Sequence, residues 1–377
     1  MARTSDIIII GGGIAGLSGG AAMAVDARVL VLEAEEQTGF HTSGRSATMF
    51  HYALGNALIR RLTQASRATF DSPPAEFGEE TLGRCLPLLV HARADEIGAL
   101  ERGRDAMAPF ASIEVVDEAG LREMCPLLKV GEGASVRGLV DHDCLRIDQH
   151  ALMQGFARQL RVRGGRVVTG ARAASIVRRG RVWNVTTAGG DRFEAAVLVN
   201  AAGAWADGVA GMAGARPLGL SPLRRTIITF DAPPGTNLDH LPFTKTVTDE
   251  LYFGAESGRL FASPMDEEPS EPCDSQPDEV GIATAAWRME DRTTVRVANV
   301  HAKWSGLRTF TPDLRPAVGF DPAVEDFFWL AGQGGSGLQT APALAAVAAD
   351  LCARRPLSVG GVDPAELDPG RFLRQAA

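Results

Sequence analysis

Ile7-Ile8-Ile9-Ile10-Gly11-Gly12-Gly13-Ile14-Ala15-Gly16, followed by Val29-Leu30-Val31-Leu32-Glu33, decides the reading of this 377-residue chain. Four consecutive β-branched residues are too few for a buried helix and suit a buried parallel strand. Glycines 11, 13 and 16 stand at the three positions of G-x-G-x-x-G. In that pattern Gly11 permits the tight turn out of the strand and Gly13 lets the backbone approach a pyrophosphate. Gly16 lets the next helix pack on the strand, and the helix N-terminus offers unpaired N–H groups to phosphate. The second apolar run ends on Glu33, twenty residues after Gly13. A carboxylate there accepts from ribose hydroxyls and repels a 2′-phosphate. The unit therefore predicts a bound ADP moiety and disfavours NADP. It does not separate FAD from NAD.

Downstream, Gly39-Phe40-His41-Thr42-Ser43-Gly44-Arg45-Ser46-Ala47 reads as a loop laid along a diphosphate and the ring system beyond it. Leu58 to Phe70 reads as an amphipathic helix ended by Ser72-Pro73-Pro74. From Gly83 to about Val116 the pattern is strand, helix, strand, the start of a second lobe. The chain returns to the nucleotide lobe near Asp143, and Asp148 predicts an N-cap for a helix from Gln149 to about Arg163. A strand starts at Gly165 to Val168. Ile176-Val177 and Val182 to Val185 form a hairpin, and Val197 to Asn200 is a buried strand entering the small-residue turn Ala201 to Trp205. Short strands are predicted at Thr226 to Phe230, Leu251 to Phe253, Leu260 to Ala262 and Thr294 to Val297. The acidic, proline-bearing stretch Asp266 to Glu279 reads as a solvated loop without functional weight. Near the C-terminus, Phe327 to Ala331 is a strand, Gly332 to Gly337 a second glycine turn, and Thr340 to Ala353 an alanine-rich helix. A second glycine turn at a helix N-terminus, so far from the first, favours FAD over NAD.

Composition narrows the function classes. Hydrophobic content of 45% and charged content of 22% suit a soluble globular enzyme. A net charge of −8 without any basic run argues against nucleic acid as a partner. The five cysteines lack C-x-x-C spacing, so neither a disulfide framework nor a metal site is expected. With the binding strand at residue 7 no room is left for a signal peptide, and no apolar stretch reaches 18 residues, so the expectation is a cytoplasmic protein without a transmembrane segment.

Several matches in register give the chain a family likeness. It resembles the FAD-dependent D-amino-acid oxidase superfamily in its bacterial amine-dehydrogenase branch, near the D-arginine dehydrogenases. The likeness rests on Gly11 to Gly16 with Glu33, on His41 to Ser46, and on Asn200 to Trp205. It also rests on Gly306-Leu307-Arg308 with Asp313, Pro316 and Gly319, and on Gly332 to Thr340. The fold it implies is α/β (α+β overall): a Rossmann-like βαβ FAD-binding domain from residues 1–76, 143–214 and 309–377. An interleaved, mostly antiparallel substrate domain from 77–142 and 215–308 completes it.

The resemblance implies FAD against Gly11, Gly13, Ile14, Ala15 and Gly16, with Glu33 on the ribose. Thr42, Ser43, Arg45, Ser46 and Ala47 continue the cofactor site, joined by Ala173 and by Ala202, Gly203 and Trp205. Gly332, Gly334, Gly335, Gly337, Leu338, Gln339 and Thr340 complete it. Relatives that attach flavin covalently carry a cysteine just beyond the arginine matching Arg308; here Thr309 follows, so the FAD is expected to be non-covalent. A substrate carboxylate would be held by Arg225, Arg308 and Tyr252, beside Gly335 and Gln339.

The family reaction is hydride transfer from the substrate Cα to flavin N5, then hydrolysis of the imino acid to a 2-oxo acid and ammonia. No residue is assigned as general base. Three polar groups that recognise arginine in the relatives fall on Met49, Leu54 and Leu88, so a pocket for an apolar or neutral D-amino-acid side chain is expected. A guanidinium left unpaired there costs several kcal/mol. A secondary-amine (sarcosine or glycine type) oxidase or a 2-hydroxy-acid dehydrogenase remains an alternative. The electron acceptor, a quinone or dioxygen, stays open, as do the roles of His51 and Tyr52.

Overall fold

A computed structural model describes residues 3–78 and 81–373. The opening isoleucines form the strand Ile7–Ile10 at the middle of a six-stranded sheet. Its order is Arg166–Val168, Val29–Leu32, Ile7–Ile10, Val197–Asn200, Phe327–Ala331 and Ala317–Phe320. The first five strands are parallel and the last is antiparallel. Ile7 lies opposite both Val29 and Val197, so the strand ends reach the same side of the sheet together.

The period-2 alternation of a strand explains why every one of the four isoleucines is buried. Ile7 and Ile9, with Val29 and Val31, face a helical layer; Leu17 of the helix Ile14–Met23 and Leu344 of the helix Gly337–Cys352 belong to the same core. Ile8 and Ile10, with Leu30 and Leu32, face Trp183 and Phe193 of a small four-stranded sheet. Full burial contributes about 1.5–3 kcal/mol for each such side chain. Three layers follow: helices, parallel sheet, small sheet.

The helix Ala57–Asp71 is started by Asn56, whose side chain accepts from Ile59 N, and the helix Gln149–Val162 by Asp148, which accepts from Ala151 N. Both pack on the helical side, near the helices named above. The second large sheet has nine strands among the described residues. Its long pair is Ser221–Phe230 against Ala302–Phe310, antiparallel, with Leu223 opposite Arg308 and Arg225 opposite Gly306. The path continues through Arg259–Ser263, Tyr252–Glu256, Phe243–Thr246 and Leu88–Arg93 to Ser135–Asp141 and Ile113–Val116. A three-stranded sheet of Met49–Phe50, Leu145–Ile147 and Gly83–Cys85 lies between the two regions in sequence.

Two expectations are corrected. Thr294–Val297 is not a strand: Thr294 N donates to Leu127 O, but no ladder partner continues the pairing. The acidic stretch is not a free loop either. It carries the short strand Glu268–Pro269 and leads into the helix Glu279–Arg292, which Asp278 caps by accepting from Gly281 N. No described helix is long and apolar enough to cross a membrane.

Candidate active site

A cavity of about 520 Å³ begins where Ile7–Ile10 ends and runs to the nine-stranded sheet. At its nucleotide end the glycines have separate reasons. Gly11 has φ +108°, and a Cβ there would fall 2.5 Å from the Ala201 carbonyl oxygen. A Cβ on Gly16 would fall 1.9 Å from Gly11 O, so Gly16 packs helix on strand and does not line the cavity. Gly13 is the helix N-cap and offers no side chain. Instead Ser43 Oγ accepts from Ile14 N at 3.0 Å, which leaves its own hydroxyl proton free to donate into the cavity. Glu33 accepts from Gly12 N (2.7 Å) and Glu35 N (2.9 Å), one bond on each oxygen. Each oxygen keeps a lone pair for a ribose hydroxyl. Ala15 also lines this end.

The wall also holds Thr42, Ser46, Ala47, Ala173, Ala202, Gly203 and Trp205. Thr42 Oγ1 donates to Leu307 O at 2.7 Å, tying this turn to the nine-stranded sheet. Arg45 lines the cavity as well, and it also has a structural use. Its guanidinium donates to Phe40 O, Ser275 O and Ser305 O and pairs with Asp274, so it fastens the loop to the acidic stretch.

At the far end Gly334, Gly335, Gly337, Leu338 and Gln339 line the cavity, whereas Gly332 and Thr340 do not. Gly332 and Gly334 have positive φ and press on Thr311 and Phe310. Gln339 is used by the protein. Its amide nitrogen donates to His51 O and Thr63 Oγ1, and its oxygen accepts from His51 N.

Arg225, Arg308 and Tyr252 all reach this end, although they come from three different strands. The arginine side chains are 8% and 15% exposed. Burial, then the charge of Arg225, pushes Arg308 down to about 10, so it stays cationic at neutral pH. Met49, Leu54, Ile227, Phe243 and Met265 supply apolar wall. Leu88, expected there, is fully buried behind it, paired with Phe243 in the sheet. His51 and Tyr52 part company: His51 lines the cavity, while Tyr52 stacks on Phe110 at 5.6 Å. Burial holds the His51 imidazole down to about 3, helped by Lys245 and Arg60.

Two groups escaped the sequence reading. Lys245, in the strand Phe243–Thr246, lines the cavity and pairs with Asp249. Its sheet partner is Tyr252, but F-T-K-T carries no alternation to reveal a strand. The stretch read as functionally silent places Glu267 against both arginines: Oε1 accepts from Arg225 Nη2 (2.9 Å) and Arg308 Nη1 (3.3 Å). No metal-binding cluster occurs among the described residues, and no cysteine lines the cavity.

The glycine cradle, the spare lone pairs of Glu33 and the free hydroxyl proton of Ser43 suit a dinucleotide. Comparison with known proteins agrees. The sequence model of the DAO family, FAD dependent oxidoreductase, matches residues 6–351. Hydrogen cyanide synthase subunit HcnC of Pseudomonas aeruginosa is 24% identical over 60% of this chain and 52% of its own length. FAD-dependent oxidoreductase domain-containing protein 1 of Bos taurus is 24% identical, over 92% of this chain and 81% of its own. The chain thus spans about half of the first relative and most of the second. Among solved structures, L-proline dehydrogenase from P. horikoshii superposes with a TM-score of 0.85 at 21% identity, covering 100% and 99% of the two chains. Glycine oxidase from Geobacillus kaustophilus gives 0.84 at 21% identity, covering 98% and 99%.

Proposed function

Because the chain belongs to the DAO family of FAD-dependent oxidoreductases, we propose that it oxidises amino acids with apolar or neutral side chains, D-enantiomers foremost, to the 2-oxo acid and ammonia. The observation that carries this reading is the meeting of Arg225, Arg308 and Tyr252 in the cavity that begins at the glycine cradle. Two guanidiniums and a phenol suit a carboxylate, the group every such substrate shares. The D preference rests on the resemblance to D-amino-acid dehydrogenases. In this reading residues 1–76, 143–214 and 309–377 form the cofactor domain, and 77–142 with 215–308 the substrate domain.

The chain's own contribution is orientation and exclusion of water. Arg308 and Arg225 fix the carboxylate, Tyr252 donates a third hydrogen bond, and the wall of Met49, Leu54 and Phe243 covers the side chain. His51, held down to about 3 by burial, is neutral near pH 7 and carries no proton to donate as an imidazolium; no side chain is assigned the task of deprotonating the amine, which has to arrive as the free base. FAD, held without a covalent bond, supplies acceptance of a hydride from the substrate Cα. The imino acid so formed adds water and loses ammonia.

Anaerobic bleaching of the flavin absorbance by D-amino acids, L-amino acids, sarcosine and 2-hydroxy acids tests the reading. Fastest bleaching by apolar or amide D-amino acids is expected. Bleaching confined to sarcosine or to a hydroxy acid would keep the clamp and replace the substrate. Efficiency highest with D-arginine or D-lysine would remove the apolar pocket.

A further inference from the structure

Glu267 is seated on the clamp by a built turn, not by a wandering side chain. Met265 stands in the left-handed region at φ 53°, and its N–H donates to Ser263 Oγ. Asp266 Oδ1 and Oδ2 accept from Thr226 N and Thr226 Oγ1, each at 2.7 Å. Arg288 donates to Pro264 O, and Glu268–Pro269 pairs with Leu223 and Arg224. The backbone on both sides of Glu267 is therefore fixed, and one carboxylate oxygen falls between two guanidiniums.

We propose that Glu267 is a resident competitor at the arginine clamp: its carboxylate takes donors on Arg225 and Arg308 that a ligand carboxylate also needs, and so sets how weakly simple carboxylates bind. The proposal rests on the clamp reading given above. Two facts favour competition over mere orientation. First, the arginines have other anchors: Arg225 Nε donates to Asp266 O at 2.8 Å, and Arg308 lies over the Phe310 ring at 5.2 Å. Loss of Glu267 leaves both in place. Second, Glu267 is 52% exposed whereas the arginines are nearly buried. Its removal strands no buried anion and raises the charge of the trio from +1 to +2. A ligand monoanion gains directly from that change, and interactions of this size alter affinity about tenfold.

The test is calorimetric titration of the holoenzyme with propionate, for the wild type, Glu267→Gln and Arg308→Met, with a thermal midpoint to confirm folding. Glu267→Gln is expected to lower the propionate Kd about tenfold, with the gain shrinking as salt is raised. An unchanged or raised Kd overturns the proposal and makes Glu267 an orienting residue. Glu267→Asp keeps the charge and is expected to stay within about threefold of wild type. A gain there equal to that of Gln overturns the charge argument. Propionate binding that survives Arg308→Met, or none in any protein, sinks the clamp reading itself.

Discussion

A Cβ built on Gly335 falls 1.9 Å from Arg308 Nη2, and the colliding atom is the far end of a flexible side chain. Gly335→Ala therefore moves the clamp without breaking the fold. Steady-state kinetics should show KM raised about tenfold, while the thermal midpoint shifts little. Arg308→Met removes the charge altogether, and kcat/KM should fall by about 10²–10³, the cost of losing a charged pair. A pH effect belongs to this scale too. Burial holds His51 and His91 down to about 3 from an ordinary 6.5. Below pH 6.5 the unfolded chain binds protons there that the folded chain does not. Their stabilisation is therefore complete above 6.5 and is lost progressively down to about 3, at about 1.4 kcal/mol per pH unit for each group. His91 Nδ1 meets Ser135 Oγ at 2.7 Å, and its Nε2 has no partner. In denaturant unfolding, His91→Leu should be less stable at pH 7.5 and fall less steeply toward pH 5. A slope equal to wild type would show that His91 does not titrate as stated.

Between elements, Gln339 is a small case of one side chain holding two others. From the helix Gly337–Cys352 it grips His51, next to the strand Met49–Phe50, and Thr63 of the helix Ala57–Asp71. Gln339→Leu takes this partner from the buried His51 backbone, while Thr63 Oγ1 keeps its bond to Ile59 O, and should cost about 1–3 kcal/mol and raise KM through the loosened Met49–Leu54 wall. Urea unfolding and kinetics measure both. Elements with a strong period or cap were legible in the sequence: the Ile7–Ile10 strand, the helix after Asp148 and the second glycine turn all form where expected. Others were not, for physical reasons. Phe243–Thr246 buries Thr244 and Thr246 on one face and turns Phe243 and Lys245 to the cavity, so neither face reads as apolar. The helix Glu279–Arg292 begins on an acidic cap that is hard to tell from an acidic loop, and it exposes Val280 and Trp287. The meeting of Arg225, Arg308 and Tyr252 in one cavity was expected from the family likeness. Glu267 was not, because a half-exposed glutamate in a polar stretch has no local signature; only the turn at Met265 aims it.

Across the whole molecule, the cavity wall draws on residues from Ile10 to Gln339. A ligand filling it ties distant segments together and stabilises only the folded state. Stripping FAD should lower the thermal midpoint, and adding it back should restore the loss; at a thousandfold excess over Kd the gain is about 4 kcal/mol. Equal midpoints with and without FAD would show that the cavity wall is rigid without its cofactor. The strand order has a consequence for synthesis. Ile7–Ile10 gains its first neighbour within a few dozen residues but its second, Val197–Asn200, only after nearly the whole first half of the chain. At about 5–20 residues per second, a ribosome leaves that edge open for roughly 10–40 s. This apolar strand thus leaves the ribosome long before its second neighbour does, and through that interval one row of its backbone N–H and C=O groups stays open to mispairing.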